Sequence, residues 1–328
     1  VELRIMSRLL VHLIAMGLAL VVCRTRLGAA DYRPPEDIEF SRATIFSEGI
    51  RLAAERFLPR DRVGERLPTL ILSHGWGGSA ALLRPDAVVF ARGGFLVVTF
   101  DYRGWGASEG RVILEQAAPA DRQGTTFNAL VRELREIVDP WDQTADLLNV
   151  LHWVQGEPAC DPQRIGLWGT SYSGGHVVYA AAKDPRVKAL VAQVPALDSR
   201  FVIQDNAQRE QTYREATARA RGELGYPPPG ARVVGNLKGA PIREKLMHYA
   251  PVELADQAPQ CAMLFIVAEK EELFDNREHA ILACQRARGP KKLITIPGIT
   301  HYGVYLQARA ECQKHALEWF RQWLSDSR

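Results

Sequence analysis

Residues 169–175 read GTSYSGG, between an apolar run, RIGLW, and a small-residue run, HVVYAAA. Two hydroxyls in this stretch, those of Ser171 and Ser173, are candidates for nucleophilic chemistry. A serine attacks a carbonyl well only when a histidine takes its proton and a carboxylate orients that histidine. Ser171 lies just after a predicted strand and just before a predicted helix, the context of a nucleophile elbow. Gly169 leaves room where such a turn crowds strand and helix, and Gly174 does the same on the helix side. The amino terminus of the helix offers unpaired N–H groups and a partial positive charge to a developing oxyanion. The common GxSxG spacing is not met, because Ser173 stands at the second glycine, so Ser173 competes for the role. The bland alternative is a plain turn.

Eight histidines are available as a base. His301, in PGITHYGVY, follows the last predicted strand and precedes the last helix, which makes it the favoured base. His176 falls within the helix after the elbow and is expected to point along it. His74 precedes GWGG and reads as a brace for that loop. His12, His152, His248, His279 and His315 read as leader, core or surface positions. For the acid, AEKEELFD follows a strand ending at Ala268. Glu271 in the tight turn is favoured over Asp275, which suits the cap of a following helix; Glu272 and Asp198 are further carboxylates nearby. An oxyanion hole needs two backbone donors. Tyr172 N–H supplies one, and the HGWGG loop supplies the other, best at Trp76 N–H. The glycine cluster is otherwise an ordinary tight turn.

These residues need elements to hold them. DIEFSRATIF and IRLAAERFLP flank SEG as a hairpin. LPTLILS, FLVVTF, RIGLWG, VKALVAQVP, CAMLFIVAE and KKLITIP are short uninterrupted apolar runs, predicted as buried strands. DPWDQTADLLNVLHWVQ, the stretch from about Ser173 to Ala182, that from about Asn276 to Ala287, and ALEWFRQWL read as helices between or after them. Buried strands alternating with helices predict an α/β fold, a mostly parallel sheet with helices on both faces. From about Ala196 to Ala258 the alternation breaks. That stretch reads as an inserted cap in which Phe201, Tyr213, Tyr226, Leu237 and Met247 are apolar enough to wall a pocket. A second insertion runs from Arg111 to Val138. In such sheets ligands bind beyond the carboxyl ends of the strands, where the glycine-rich turns fall.

Composition excludes several other classes. Hydrophobic residues make up 47%, enough for a large core. Lys and Arg number 41 against 38 acidic residues, too balanced for a nucleic-acid binder. CxxC, HExxH and GxxxxGK[ST] patterns are missing, so neither metal nor cofactor is expected. Residues 1–30 have Arg4 and Arg8, an apolar run from Leu9 to Val22, and Ala29 with Ala30. They read as a signal peptide or amino-terminal anchor, with the α/β domain at 31–328. The run is short for a membrane span, which needs roughly 20 residues. A secreted or periplasmic protein is expected, or a cytoplasmic one if Met6 is the true start. Cys160, Cys261, Cys284 and Cys312 serve equally well as disulfide partners after export or as small buried hydrophobes.

SHGWGGS, DYRGWGASEG, GLWGTSYSGG, AEKEEL and GITHYGVY together resemble the α/β-hydrolases in order and spacing, over nearly everything from Asp37 onward. The SYSGG form is similar to the X-Pro dipeptidyl-peptidase and cocaine-esterase group. DPWDQTADLLNVLHWVQ and SYSGGHVVYAAAKDPRVKALVAQVP resemble dienelactone-hydrolase-like proteins and fungal polyketide transferases or thiohydrolases. The resemblance implies Ser171 as nucleophile, His301 as base, Tyr172 N–H as oxyanion donor and an acid at Glu271. The family pattern there is GxxD, from which this chain departs with Ala268 and Glu271. The sequence has no stretch for the extra carboxyl-terminal β domain of the dipeptidyl-peptidase group, which ranks a peptidase below an esterase. The expectation is a serine esterase acting on a small-molecule ester without cofactor, with acyl transfer, thioester cleavage and X-Pro-type amide cleavage as alternatives. A non-catalytic binding protein on the same fold ranks last, and a homo-oligomer is left open.

Overall fold

The apolar runs become the strands of one eight-stranded sheet in the computed structural model, which describes residues 32–203, 205–231 and 237–325. In chain order they are β1 (Ile38–Ser47), β2 (Ile50–Pro59), β3 (Leu67–Ser73) and β4 (Leu96–Phe100). β5 (Cys160–Thr170), β6 (Val187–Gln193), β7 (Ala262–Ala268) and β8 (Lys291–Ile296) complete the set. Their spatial order is β1-β2-β4-β3-β5-β6-β7-β8. β2 runs antiparallel to both neighbours, and every other pairing outside the β1–β2 hairpin is parallel. The hairpin turns at Glu48 and Gly49, both at positive φ (50° and 87°), as a tight two-residue connection requires.

Parallel strands need crossovers, supplied here by α1 (Arg84–Arg92), α2 (Pro140–Gln155), α3 (Tyr172–Lys183), α4 (Asn206–Ala220) with α5 (Arg243–Leu246), and α6 (Ala280–Arg286), while α7 (Arg309–Leu324) follows the last strand. Side chains alternate across β5. Ile165 and Leu167 join the apolar residues of α2, α3 and α6 on one face. Trp168 meets Phe90 of α1, and Phe90 packs edge-on against Phe320 of α7, on the other face. Covered on both sides, β3, β4 and β7 are buried along their whole length, which is why their sequences do not alternate. Asp139 caps α2, its carboxylate accepting from the Trp141 and Asp142 amides. The described residues from Glu36 onward cluster as one compact unit.

The region expected as a cap follows β6 and precedes β7. It contains α4, α5, a two-residue strand at Ala240–Pro241 and a 3-10 segment at Pro251–Gln257. In the other insertion Val112–Leu114 pairs with Val131–Glu133, while Ile137–Val138 runs parallel to Ala240–Pro241 and ties the two insertions together. α6 starts at Ala280, later than its apolar pattern implies. Asn276 instead turns its Nδ2 back to the Ala268 carbonyl (2.9 Å). Cys160, Cys261 and Cys312 are buried, Cys284 is half-buried, and all four are free thiols. The signal-peptide or anchor expectation for residues 1–30 lies outside the described residues. Among the described residues no helix is long and apolar enough to cross a membrane.

The loop after β4 is anchored by a buried ion pair. Asp146 of α2, fully buried, accepts from Arg103 Nε (2.8 Å), Nη2 (2.6 Å) and backbone N (2.8 Å). Arg103 also pairs with Glu48 (3.0 Å) and Asp142 (3.4 Å), so losing Asp146 leaves it partly paired and costs toward the lower end of the about 3–5 kcal/mol for breaking a buried pair. Asp146→Ala should therefore lower unfolding free energy by about that amount in urea titrations. A change below about 1 kcal/mol would show that the loop is held by packing instead.

Candidate active site

Ser171 sits between the end of β5 and the first residue of α3, at φ 54° and ψ −120°. That backbone is rare for a residue with a side chain. Its amide donates to the Gln193 carbonyl (2.8 Å), and its carbonyl accepts from Gly174 N (2.9 Å) and Ala196 N (3.0 Å). Strand and helix approach so closely that a Cβ on Gly169 would lie 2.3 Å from the Ser173 carbonyl oxygen. The sharp turn leaves the Ser171 side chain half-buried beside a cavity, whereas Ser173 is fully buried beneath it.

Three of the sequence-predicted side chains meet. His301 Nδ1–H donates to both oxygens of Glu271, each at 2.9 Å. That bond leaves Nε2 unprotonated, and Ser171 Oγ–H donates to it at 3.0 Å. His301 and Glu271 are each only 2% exposed at the side chain, so water does not compete for their contact. Glu271 also accepts from the Leu273 amide (3.1 Å), which holds the carboxylate in the turn after β7. Glu272, its neighbour, accepts from the backbone N–H of His301 (2.7 Å). The Phe274 ring lies edge-on to the imidazole at 5.6 Å. Asp275, the alternative acid, is not brought to His301. It pairs with Arg277 at the surface, and that hydrogen bond pulls its carboxyl down to about 2. Asp198 caps a short 3-10 turn and pairs with Arg200 (2.6 Å).

The loop after β3 passes directly against the elbow: a Cβ on Gly75 would lie 2.9 Å from Ser171 Cβ. Trp76 lines the same cavity as Ser171, and its ring packs edge-on against Tyr172 at 5.2 Å. Its indole N–H donates to the Gly239 carbonyl (3.3 Å), joining this loop to the segment between β6 and β7. Tyr172 is the first residue of α3, so its amide has no acceptor within its own helix. The Trp76 amide has no hydrogen-bond partner among the described residues. Asp101, at the end of β4, holds the neighbouring turns by accepting from Ala80 N (2.7 Å) and Ala107 N (2.9 Å).

Beneath the elbow lies a buried polar cluster that the sequence reading missed. Ser173 Oγ bonds to Ser73 Oγ and to Tyr102 OH (3.0 Å), so this serine is a packing group rather than an accessible nucleophile. His176 does not run along α3. Its Nε2–H donates to Gln143 (3.2 Å), its Nδ1 accepts from Tyr249 OH (2.6 Å), and its ring packs edge-on against Tyr172 at 4.8 Å. His74 Nδ1–H donates to the Gly75 carbonyl (2.9 Å), and its Nε2 is buried with no hydrogen-bond partner among the described residues. Burial holds both imidazoles neutral, that of His176 down to about 3. His279, read as a core or surface position, accepts from Leu197 N (2.8 Å) and stacks on Phe274 at 4.4 Å.

The cavity beside Ser171 holds about 310 Å³. Of the five residues expected to wall it, Phe201 and Leu237 do so. Met247 lines a different groove near Trp141 and Tyr179, Tyr226 packs under Arg219, and Tyr213 is exposed on α4. Val202, Pro241, Arg243, Leu246, Leu273 and Phe274 line it instead.

Comparison with known proteins agrees with this fold. Residues 48–218 match the X-Pro dipeptidyl-peptidase (S15) family, and residues 141–327 match the prolyl oligopeptidase family. The chain belongs to the α/β-hydrolase superfamily. It is 28% identical over 308 residues to an uncharacterized 31.7 kDa protein of Escherichia coli from the traX-finO intergenic region, covering 85% of this chain and 97% of that one. It is 27% identical over 187 residues to the thiohydrolase aneE of Aspergillus aculeatus, covering 55% of this chain and 52% of that one. Among solved structures, the hypothetical protein PA2218 of Pseudomonas aeruginosa superposes with a TM-score of 0.71 at 21% identity, covering 92% of this chain and all of that one.

The neutral imidazoles give the fold an acid sensitivity. An unfolded histidine titrates near pH 6.5, whereas buried His176 binds its proton only near 3. The unfolded chain therefore binds more protons throughout that window, and stability present above about pH 6.5 is lost as pH falls. Each such histidine removes up to about 1.4 kcal/mol per pH unit. Urea midpoints measured from pH 7 to pH 4 should fall less steeply for His176→Gln than for the parent. Parallel curves would show that His176 does not supply the dependence.

Proposed function

We propose that the chain is a serine hydrolase of carboxylic esters. The observation that carries this reading is the hydrogen-bonded series Ser171–His301–Glu271 beside an apolar cavity. In the proposed cycle Ser171 Oγ attacks the ester carbonyl carbon while its proton passes to His301 Nε2. Glu271 stabilises the imidazolium, and the Tyr172 and Trp76 amides receive the oxyanion of the tetrahedral intermediate. Collapse expels the alcohol, which takes the proton from His301. Water, activated by the same imidazole, then attacks the acyl-serine and releases the acid. The cavity volume falls in the small-molecule range, of order 300–1,000 Å³, and the segment between β6 and β7 supplies much of its wall.

A thioester or acyl-transfer substrate is the second reading, favoured by the similarity to a fungal thiohydrolase. The same residues serve both, so substrates must separate them. p-Nitrophenyl esters of increasing chain length, acyl thioesters and aminoacyl-prolyl amides should be assayed side by side. Turnover of the esters above the other two supports the first reading, and preference for thioesters moves the assignment to the second.

A fluorophosphonate probe should label Ser171, and Ser171→Ala should abolish both labelling and turnover above a residual catalysis of roughly 10³–10⁴-fold over water. Labelling at another serine would sink the assignment. Glu271→Gln should cut kcat by up to ~10⁴-fold, because an amide does not hold the imidazole in the same tautomer. Asp275→Asn should stay within about twofold of the parent, since its partner is the exposed Arg277.

A further inference from the structure

Arg243 is the one charged side chain among the described residues that line the cavity beside Ser171. The other polar lining groups are few. Apart from Ser171 they are Ser199 and Tyr172, whose hydroxyls bond to each other at 3.2 Å. Trp76, Phe201, Val202, Leu237, Leu246 and Phe274 make the remainder largely apolar.

Among the described residues Arg243 is also a cation without a counter-ion. Its neighbour Glu244 is taken by Arg219 (3.1 Å), and Arg243 pairs with no carboxylate among the described residues. Of the other arginines of this segment, Arg200 pairs with Asp198 (2.6 Å) and Glu253 (2.7 Å) and Arg221 with Glu223 (2.5 Å), whereas Arg209 on α4, away from the cavity lining, has no carboxylate partner among the described residues. Arg243 is exposed where it lines the cavity, so its charge is open to a ligand entering from solvent. Its planar fork of N–H donors matches a carboxylate or a phosphate, two bonds at a time.

We infer that the substrate carries an anionic group, carboxylate or phosphate, separated from the scissile carbonyl by an apolar stretch, and that Arg243 is the specificity residue that binds it. The inference rests on Ser171 being the nucleophile. The apolar lining suits the spacer, and the lone cation selects what the spacer ends in. A carboxylate would sit on the acyl side. A phosphate would sit on the leaving group, as in a phosphopantetheine thioester.

The test uses the full chain and two matched pairs. One pair is the p-nitrophenyl monoester of adipic acid with its far carboxylate free, and the same compound with that carboxylate methylated. The other is an acyl 4′-phosphopantetheine thioester and its dephosphorylated counterpart. The parent should prefer the anionic member of one pair, and that pair names the source of the charge. Arg243→Gln should lower the anionic-to-neutral ratio of kcat/KM by about 10- to 100-fold, the range for losing a hydrogen bond to a charged group. Arg243→Lys should restore part of the ratio, keeping the charge without the fork, and added salt should shrink it. Equal ratios in parent and Arg243→Gln for both pairs would overturn the inference. If the neutral members are still hydrolysed and Ser171 is still labelled, the hydrolase reading survives that failure. Loss of both labelling and all hydrolysis in the parent would remove the two together.

Discussion

The backbone of Ser171 is held where residues with side chains are seldom found, and the site is arranged around that constraint. Such geometry costs about 1–3 kcal/mol. Three backbone hydrogen bonds, each contributing roughly 0.5–1.5 kcal/mol net, offset it. They reach in different directions: to Gln193 at the tip of β6, to Gly174 within α3, and to Ala196 where the chain leaves the sheet. Val194, also at positive φ (39°), donates to the Ile266 carbonyl of β7 (2.7 Å). Two unusual backbone conformations thus lock the ends of β5, β6 and β7 together, and Glu271 and Leu273 follow directly from β7.

The support beneath the turn is polar and, apart from His74 Nε2, satisfied within itself. Ser73, Tyr102 and Ser173 satisfy one another, and Gln143, His176 and Tyr249 do the same one layer away. A satisfied buried network resists rearrangement, because shifting one member leaves several groups unpaired at once. The stiffness matters because Ser171 and His301 must stay within hydrogen-bond reach while the cavity beside them is filled. The opposite wall is attached differently: one indole hydrogen bond from Trp76 to Gly239 joins the loop after β3 to the insertion.

Much of this was legible in the sequence wherever local pattern and chemistry coincide. Buried strands announced themselves as unbroken apolar runs, and the turns that end them carry Ser171, Trp76, Glu271 and His301. Glu271 reaches His301 and Asp275 does not, because a turn leaving a strand is tightly aimed while Asp275 is free to fold onto Arg277. Legibility fails where contacts join distant segments that lack periodicity. Nothing near Ile137 or Ala240 signals that they pair, and nothing in the small-residue run after the elbow signals that His176 turns into the core. The cavity wall was misjudged for the same reason. Apolar type alone did not separate Phe201 and Leu237, which face it, from Tyr213 and Met247, which do not.

The four free thiols among the described residues bear on how the molecule comes apart. Burial pushes Cys160, Cys261, Cys284 and Cys312 upward, Cys312 to about 12, so in the folded chain they stay protonated and inert. Unfolding returns them to an ordinary pKa near 8.5, where about 3% is thiolate at pH 7, enough for slow exchange. All four then become available together, to each other and to other opened chains. Air oxidation can trap the opened state with mismatched bridges before it closes again. Heat inactivation without reductant would then be a one-way process whose midpoint depends on the rate of heating, and a reductant would restore reversibility.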